Sequence, residues 1–359
     1  MTRYLLAGGG TAGHVNPLLA TADEIRLRNP GDEVLVLGTA EGLEARLVPL
    51  RGYELSVIPR LPFPRRPNAA ALRFPLAFRA TIDGIVRTIR ERGIDAVVGF
   101  GGYAAAPAYL AARRARIPFV VHEANARPGL ANRLGARATP HVGVAFEGTP
   151  LPHAQVVGMP LRREIAELDR SARREEGRLA LGLDPERPTL LVTGGSLGAR
   201  RINATVHASA SALVATGFQI LHITGDRAEI TDPGIDGYHL LAYCDRMDLA
   251  LSASDFAVSR AGAATVSELS ALGLPAVYVP YPVGNGEQRV NARGVVDAGG
   301  ALLVEDAAFL PVWVERVLVP LLGDSARRDE MARRAARVGV RDGSGRLVDL
   351  IGSSLTAPR

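Results

Sequence analysis

The chain of 359 residues contains no lysine, so all 42 of its basic residues are arginines, which we attribute to coding bias rather than to selection for arginine chemistry. Its only cysteine, Cys244, excludes an internal disulfide and any metal site built from several cysteines. No apolar run reaches the roughly 18 residues of a membrane-spanning helix, and the N-terminus does not resemble a signal peptide. An Asp-x-Asp pair, the usual holder of a metal-bound diphosphate, is also missing. We therefore expect a chain that is neither exported nor membrane-spanning and that uses no metal or other cofactor.

What is present indicates a globular protein with two domains. A chain of 359 residues is longer than a typical domain with a single hydrophobic core. Of its residues, 47% are hydrophobic and 22% are charged, as in globular proteins. Residues 1–160 hold 19 Arg and 12 acids, a net charge of +7, whereas residues 161–359 hold 23 Arg and 25 acids, a net charge of −2. This charge asymmetry indicates that the N-terminal half binds an anionic partner. Nucleic acid is not that partner, because no basic helix or aromatic-basic binding module is present.

Strands alternate with helices along most of the chain, which predicts α/β architecture with parallel, doubly wound sheets. The first strand, Tyr4–Ala7, runs into a glycine turn at 8–13 and then a helix, which together make a phosphate cradle. Gly194-Gly195-Ser196-Leu197-Gly198 repeats the pattern G-G-[ST]-x-G of residues 9–13. We expect two similar domains, divided near residues 160–165, that face each other across a ligand cleft. A dinucleotide-binding domain is disfavoured, because the second strand ends in Gly38-Thr39 without the acidic residue that binds ribose.

Residues 255–292 predict the pocket of a nucleotide sugar. A strand at 256–258 leads into a small-residue turn and a helix whose first N–H groups are open to a phosphate. One turn into that helix, Glu268 could accept two ribose hydroxyls. Glu287 and Gln288, at the start of another helix on the same sheet edge, combine acceptors with an amide donor and suit sugar hydroxyls.

Polar residues also follow strands of the first half, at the edge where ligands of such sheets bind. Gly101-Gly102-Tyr103 makes a second backbone-amide nest, and His122-Glu123-Ala124-Asn125 ends the next strand. Each could simply be a hydrogen-bonded cap or turn. We interpret Asn132 in that way, and we regard His14 and Asn125 as functional.

The stretch Pro59–Pro75 predicts an extended, proline-stiffened loop. It contains leucine and phenylalanine side chains interspersed with arginines, a combination that suits a surface facing anionic lipid. The alternative, in which the aromatic side chains tuck onto the domain, stays open on these residues alone.

Seven blocks of the sequence, in order, resemble the MurG family, the N-acetylglucosaminyltransferases that convert lipid I to lipid II in peptidoglycan assembly. The blocks cover nearly the whole chain: GGGTAGHVNP at 8–17, GGYAAAP at 101–107, HEANARPGLANR at 122–133, VVGMPLR at 156–162, GGSLGA at 194–199, RAGAATVSELSALGLPA at 260–276 and GEQRVNA at 286–292. The resemblance implies the GT-B fold of two Rossmann-like domains. It assigns 1–162 to lipid I and membrane association, 163–340 to UDP-GlcNAc, and 341–359 to a C-terminal helix that returns to the first domain.

The resemblance also implies residue roles. The residues expected to contact UDP-GlcNAc are Thr11, Ala12, Gly13, Asn125, Arg162, Ser196, Cys244 through its main chain, Ala263, Ala264, Thr265, Val266, Ser267, Glu268 and Gln288. Those expected at the acceptor are Gly10, His14, Gly102 and Tyr103, and the expected membrane patch is Leu61, Phe63, Arg65, Arg66, Leu72 and Phe74. The chain departs from the family pattern at Ala124, Met159 and Glu287, which affects contacts with the sugar.

The implied reaction is inverting transfer of GlcNAc to the 4-hydroxyl of MurNAc without a metal. His14 is the candidate base, with binding of the acceptor diphosphate as an alternative role, and Glu123 is the second candidate base. The implied setting is the cytoplasmic face of the cell membrane, with UDP-GlcNAc, lipid I, anionic lipid and cell-wall synthesis or division proteins as partners.

Three rival functions are considered. A transferase acting on a different lipid or a UDP-GlcNAc 2-epimerase would use the same fold. A non-catalytic scaffold that binds lipid-linked precursors does not explain the complete sugar-nucleotide pattern around Glu268 and Gln288.

Overall fold

The structure, a computed structural model, describes residues 1–61, 69–195, 199–226 and 228–356. The chain divides into two compact units, each with its own parallel sheet. The first unit comprises Met1–Arg162 and the C-terminal segment that begins at Asp342, and the second comprises Arg163–Arg341. The predicted fold class, two doubly wound α/β domains, is confirmed.

The sheet of the first unit has seven parallel strands that alternate with helices. Its elements are β1 (Arg3–Ala7), α1 (Ala12–Arg28), β2 (Glu33–Gly38), α2 (Glu44–Leu50), β3 (Glu54–Val57), α3 (Ala69–Glu91), β4 (Ala96–Gly99), α4 (Gly102–Ala115), β5 (Phe119–Glu123), α5 (Leu130–Ala136), β6 (Val142–Val144) and β7 (Ala154–Val156). The strand order is β3-β2-β1-β4-β5-β6-β7, so the winding direction reverses between β1 and β4. Ligands of such sheets bind at the carboxyl ends of the strands at this reversal.

The second unit repeats that winding in a six-stranded sheet of order β10-β9-β8-β11-β12-β13. Its elements are α6 (Arg163–Ala166), α7 (Arg174–Ala180), β8 (Thr189–Thr193), α8 (Arg200–Ala208), α9 (Ala210–Val214), β9 (Gln219–Ile223), β10 (Tyr238–Leu241), α10 (Met247–Ala253), β11 (Phe256–Ser259), α11 (Ala263–Ala271), β12 (Ala276–Tyr278), α12 (Glu287–Asn291), α13 (Arg293–Asp297), β13 (Ala301–Leu303), a 3-10 helix (Asp306–Ala308), α14 (Pro311–Trp313), a π-helical segment (Val314–Leu318), α15 (Val319–Gly323) and α16 (Ser325–Val338). The reversal here falls between β8 and β11.

Three predictions of local structure are corrected. The charged stretch from Arg163 to Glu176 predicts a mostly helical linker, whereas the structure has two short helices, α6 and α7, separated by residues 167–173. The apolar pattern over 310–322 predicts one helix, which the π-helical segment interrupts. Strand β13 was not predicted.

Buried side chains cover both faces of the first sheet. Alternate residues of β1 point to opposite faces, so Leu5 joins one buried cluster and Leu6 the other. The second cluster is completed by the C-terminal helix α17 (Gly343–Thr356), through Leu347 and Ile351. The entry to α17 is tight, because a Cβ added at Gly343 would lie 2.1 Å from the carbonyl oxygen of Met159.

Within the residues that the structure describes, no helix has both the length and the apolar character needed to cross a bilayer.

Candidate functional site

The carboxyl edge of the first sheet brings together two glycine turns and a histidine. A Cβ at Gly102 would lie 2.5 Å from the carbonyl oxygen of Gly9, and one at Gly101 would lie 3.0 Å from the ring of His14. Both Gly101 and Gly102 have positive φ, 96° and 75°, which a side chain would strain. The close packing of the two turns therefore requires glycine, and it places His14 at the switch point of the sheet.

The ring of His14 is oriented by the turn that precedes it. Its Nδ1 lies 3.2 Å from the Gly9 carbonyl oxygen and 3.3 Å from the Thr11 hydroxyl. A carbonyl can only accept, so Nδ1 carries the proton and Nε2 is the basic nitrogen. Burial lowers the pKa of His14, and the carboxylates of Glu123 and Glu44 oppose that shift. The imidazole is thus held in the neutral form that a general base needs.

Glu44, at the start of α2, is a residue that the sequence reasoning missed. Its side chain is buried, and its carboxylate accepts hydrogen bonds from the Gly10 N–H at 2.8 Å, the Thr39 N–H at 2.9 Å and the Thr39 hydroxyl at 2.8 Å. A Cβ at Gly9, Gly38 or Gly42 would collide with the Glu44 side chain. The glycines on either side were the available signal, since they leave a space that only a long side chain can fill.

The carboxylate of Glu123, the second candidate base, holds the loop that follows β5 through hydrogen bonds. Glu123 is buried, and its carboxylate accepts from the N–H groups of Asn125 and Gly129, both at 2.9 Å, and from the Asn132 amide at 3.0 Å. Asn132 also donates to the His122 carbonyl and accepts from the Tyr109 hydroxyl. This geometry favours a structural role for Glu123 and Asn132, and it leaves His14 as the better candidate base.

In the second unit, the start of α11 is open to an anion. The preceding residue, Gly262, caps the helix without a side chain, and the first turn contains no acidic residue. The N–H of Val266 already donates to the Gly262 carbonyl, and the side chains of Val266 and Ser267 are buried. The open amides are therefore those of Ala263, Ala264 and Thr265, and the donor contacts expected at Val266 and Ser267 stay predictions.

Gln288 joins the loops that follow β11 and β12. Its side-chain oxygen accepts from the Ala261 N–H at 3.2 Å and the Tyr281 N–H at 2.9 Å, so its amide NH₂ is the group that can meet a sugar. Arg260 also holds these loops. Its guanidinium donates hydrogen bonds to the carbonyls of Val279 and Pro280 and forms an ion pair with Asp306 at 2.6 Å.

Gln288 and Arg260 border a cavity of about 1460 Å³ in the second unit. Its lining includes Gly194, Asn203, Arg260, Tyr281, Gln288 and Asp306. Half-buried Glu268 lies one turn into α11, as predicted. A cavity of this size, lined by hydrogen-bonding side chains, can hold a nucleotide sugar, although the first residues of α11 and Glu268 are not among its lining residues.

Other predicted contacts have the following positions. The thiol of Cys244 is buried, which raises its pKa and argues against a nucleophile. Thr11 precedes α1 and Ala12 is its first residue, and both are exposed. Gly13, in the first turn of α1, and Asn125, two residues after β5, are half-buried. Arg162 is the last residue of the N-terminal segment of the first unit, and Ser196 lies outside the described residues.

The segment predicted as an extended loop to Pro75 is helical from Ala69 onwards. Leu72 and Phe74 therefore lie on α3, whose alanine-rich start favours a helix and which contains Pro75. Leu72 is 82% exposed, and Leu76, which was not predicted, is 75% exposed. Phe74 stacks on Phe78. Leu61 is half-buried and borders an apolar cavity of about 470 Å³ beside α3, and Phe63, Arg65 and Arg66 lie outside the described residues.

Comparison with known proteins gives consistent matches along the chain. The model of the glycosyltransferase family 28 N-terminal domain matches residues 4–144, and that of the family 28 C-terminal domain matches residues 189–347. The UDP-N-acetylglucosamine-N-acetylmuramyl-(pentapeptide) pyrophosphoryl-undecaprenol N-acetylglucosamine transferase of Leifsonia xyli is 69% identical over 357 residues, covering 99% of this chain and all of the relative. The transferase of the same name from Clavibacter sepedonicus is 66% identical, covering 98% of this chain and 96% of the relative.

Among solved structures, MurG of Acinetobacter baumannii superposes with a TM-score of 0.79 at 28% identity, covering 98% of this chain and all of that one. Relatives that are this similar over the full length, together with both domain matches, establish the family. The chain belongs to the MurG family of UDP-N-acetylglucosamine-dependent N-acetylglucosaminyltransferases, within glycosyltransferase family 28.

Proposed function

We propose that this protein transfers GlcNAc from UDP-GlcNAc to the 4-hydroxyl of MurNAc in undecaprenyl-pyrophosphoryl-MurNAc-pentapeptide, lipid I, and so forms lipid II. One observation carries the proposal, the 69% identity over 99% of the chain to a transferase whose name states this donor and this acceptor. The two sheet edges support it, because each has the residues that one of the substrates needs.

The second unit is the proposed donor site. The open amides of Ala263, Ala264 and Thr265 bind the UDP diphosphate, and Glu268 binds the ribose. The NH₂ group of Gln288 hydrogen-bonds the sugar hydroxyls, while its oxygen stays on the two backbone amides that hold it. The main-chain atoms of Cys244 bind the uracil base. Arg162, Ser196, Thr11, Ala12, Gly13 and Asn125 remain proposed donor contacts by family resemblance.

The first unit is the proposed acceptor site, with Gly10, Gly102 and Tyr103 as its contacts to lipid I. Because the Gly10 N–H donates to Glu44, that amide does not bind the acceptor diphosphate. His14 has two candidate roles there, and its tautomer favours one of them. Because Nδ1–H donates to the Gly9 carbonyl, Nε2 of the neutral ring has a lone pair and no proton. It can take a proton from a hydroxyl, but it cannot donate one to a diphosphate oxygen. The geometry therefore supports His14 as the base.

The reaction is a single in-line displacement. The 4-hydroxyl oxygen of MurNAc forms a bond to C1 of GlcNAc, its proton moves to His14 Nε2, and the bond from C1 to the UDP oxygen breaks with its electron pair. The α-linked donor gives a β-linked product. Negative charge grows on the UDP diphosphate as that bond breaks, so the fixed N–H groups of α11 stabilise the transition state more than the ground state.

We further propose that the first unit binds the cytoplasmic face of the membrane through α3. The exposed Leu72 and Leu76 stand beside the exposed Arg73 and Arg79, a mixture of apolar and cationic groups that suits an anionic lipid surface. The excess of seven positive charges in residues 1–160 adds long-range attraction. Cell-wall synthesis and division proteins remain proposed partners.

Purified protein with radiolabelled UDP-GlcNAc and a short-chain lipid I analogue tests the reaction, in the presence and absence of EDTA. Label that enters the lipid product, with equal UDP release and no effect of EDTA, supports transfer without a metal. UDP release without lipid labelling would reject lipid I as the acceptor, and isomerisation of the UDP-sugar in the absence of acceptor would favour an epimerase.

Flotation with phosphatidylglycerol vesicles tests the membrane surface. The double variant Leu72→Ser with Leu76→Ser should lose most vesicle binding. Leu50→Ser is the matched control, since Leu50 is equally exposed on α2 of the same unit. Equal binding of all three proteins would reject α3 as the membrane-binding element.

A further inference from the structure

The peptide group that joins Gly9 to Gly10 is hydrogen-bonded at both ends by side chains. Its carbonyl oxygen accepts from His14 Nδ1 at 3.2 Å, and its N–H donates to Glu44 Oε2 at 2.8 Å. A single planar amide therefore connects a buried carboxylate to the imidazole. Because a peptide group is polarised along its C=O and N–H bonds, charge at one end strengthens hydrogen bonding at the other.

The position of Glu44 is fixed on every side. Its Oε1 accepts from the Thr39 N–H and hydroxyl, and its Oε2 accepts from Gly10. Gly9, Gly38 and Gly42 form the walls, and a Cβ at any of them would lie 2.0–2.5 Å from the nearest atom of the Glu44 side chain, a carboxyl oxygen for Gly9 and Gly42 and the Cγ for Gly38. Burial tends to raise the pKa of Glu44, but the hydrogen bonds from Gly10 and Thr39 outweigh it and the pKa is lowered. The carboxylate is ionised at neutral pH.

We propose that Glu44 is a positioning residue for His14, acting through the Gly9–Gly10 peptide. The carboxylate holds this peptide with its carbonyl towards the ring, which keeps the proton on Nδ1 and the lone pair on Nε2. The arrangement is that of a carboxylate that orients a catalytic histidine, with one peptide group inserted between them. The inference rests on the proposed function only where it concerns the rate of transfer.

Glu44 is one of two carboxylates that act on the pKa of His14. Glu123 at the end of β5 and Glu44 both favour the imidazolium. Arg60, which follows β3 and feels the charge of Glu44, stands over the ring of Tyr103 on α4 at 5.0 Å. Of the two carboxylates, Glu44 alone bonds to the peptide that accepts the His14 proton, and so its removal should change the tautomer as well as the charge.

The variant Glu44→Gln removes the charge and keeps the size. Glu41→Gln is the matched control, because Glu41 lies three residues away and is exposed. NMR of ¹⁵N-histidine-labelled protein reports the tautomer and the pKa of His14 without any substrate. In the wild type and in Glu41→Gln we expect the Nδ1–H tautomer. In Glu44→Gln we expect a mixture of tautomers and a lower pKa, because a carboxylate that favours the imidazolium has been lost.

Transfer kinetics provide the second measurement. Glu44→Gln should lower kcat about tenfold, the lower end of what an outer partner of a functional histidine contributes, with KM for UDP-GlcNAc unchanged. The acid limb of its pH profile should move to lower pH. Thr39→Val, which removes one of the three hydrogen bonds to the carboxylate, should give the same changes at smaller size.

A double-mutant cycle separates positioning from a general structural role. In the background His14→Ala, Glu44→Gln should have little further effect on kcat, since the residue it acts through is gone. Additive losses, or an unchanged His14 tautomer and pKa in both Glu44→Gln and Thr39→Val, would overturn the proposal. Absence of lipid labelling by the wild-type protein would instead reject the proposed function, while the NMR measurement would still test the link between Glu44 and His14.

Discussion

The two units share a strand order, but side chains of opposite charge organise their ligand edges. In the first unit the buried carboxylates of Glu44 and Glu123 hold the loops around His14. In the second unit buried Arg260 holds the loops around Gln288. The net charges of the two halves have the reverse signs, +7 for residues 1–160 and −2 for the rest. The two carboxylates of the first unit raise the pKa of His14 and so oppose the effect of its burial.

The same comparison shows how one motif serves two purposes. Both halves contain strand, glycine turn and helix, which is a cradle for phosphate. In the first unit Glu44 occupies the amide of Gly10, so an internal carboxylate takes the place of an anionic ligand. At α11 of the second unit the helix start carries no acidic residue and no side-chain cap. A glycine turn therefore indicates where an anion fits, but not whether that anion is a ligand.

The largest expected effect is on the chemical step and belongs to the first unit alone. His14→Ala should lower kcat by about 10²- to 10⁴-fold, the usual contribution of a general base, with the affinity for UDP-GlcNAc preserved. Steady-state kinetics and calorimetric titration of the donor measure both. His141→Ala is the control, since His141 precedes β6 and so lies at the opposite edge of the sheet. A loss of donor affinity in His14→Ala would break the division of roles between the units.

The next effect is on the stability of the second unit. Arg260→Met leaves the mostly buried Asp306 without its close partner, which should reduce the free energy of unfolding by roughly 3 kcal/mol. Arg289→Met is the control, because the ion pair of Arg289 with Glu305 is exposed and should contribute less than about 1 kcal/mol. Urea unfolding measures both. Adding Asp306→Leu to Arg260→Met should restore much of the loss, and failure to do so would mean that the hydrogen bonds of Arg260 to backbone carbonyls dominate.

Acid should destabilise both units in the same way, because each has a buried neutral histidine. Burial lowers the pKa values of His122 and His222 to about 4. Between pH 6.5 and 4 the unfolded chain binds protons that the folded chain does not, so stability falls as the pH is lowered through this range. The fully developed loss is on the order of 3 kcal/mol for each histidine.

Urea unfolding at pH 7.5 and pH 5 measures this loss. The variant His122→Gln, whose amide can still donate to the Gly158 carbonyl, should show a weaker pH dependence. An unchanged pH dependence would assign the acid sensitivity to other groups.

The smallest effect concerns the C-terminal helix. Gly343→Ala would place a methyl group against the backbone of Met159 and should cost about 1–3 kcal/mol through overpacking. Gly352→Ala, on the same helix with nothing within 4 Å of the added Cβ, should instead stabilise by up to about 1 kcal/mol. Thermal unfolding gives both values. Equal behaviour of the two variants would show that α17 is not packed on the first unit through Gly343.

The sequence by itself determined the fold class, because buried parallel strands and amphipathic helices produce recognisable local periodicity. The strands predicted at Tyr4–Ala7 and at 256–258 are found within one residue of their ends. It also indicated the sheet-edge residues, since glycine turns and polar residues that follow strands meet at one edge. Only the tertiary structure decided which groups share a hydrogen bond. Glu44 lies 34 residues from Gly10 along the chain, and its burial is favourable only once three hydrogen-bond donors surround it.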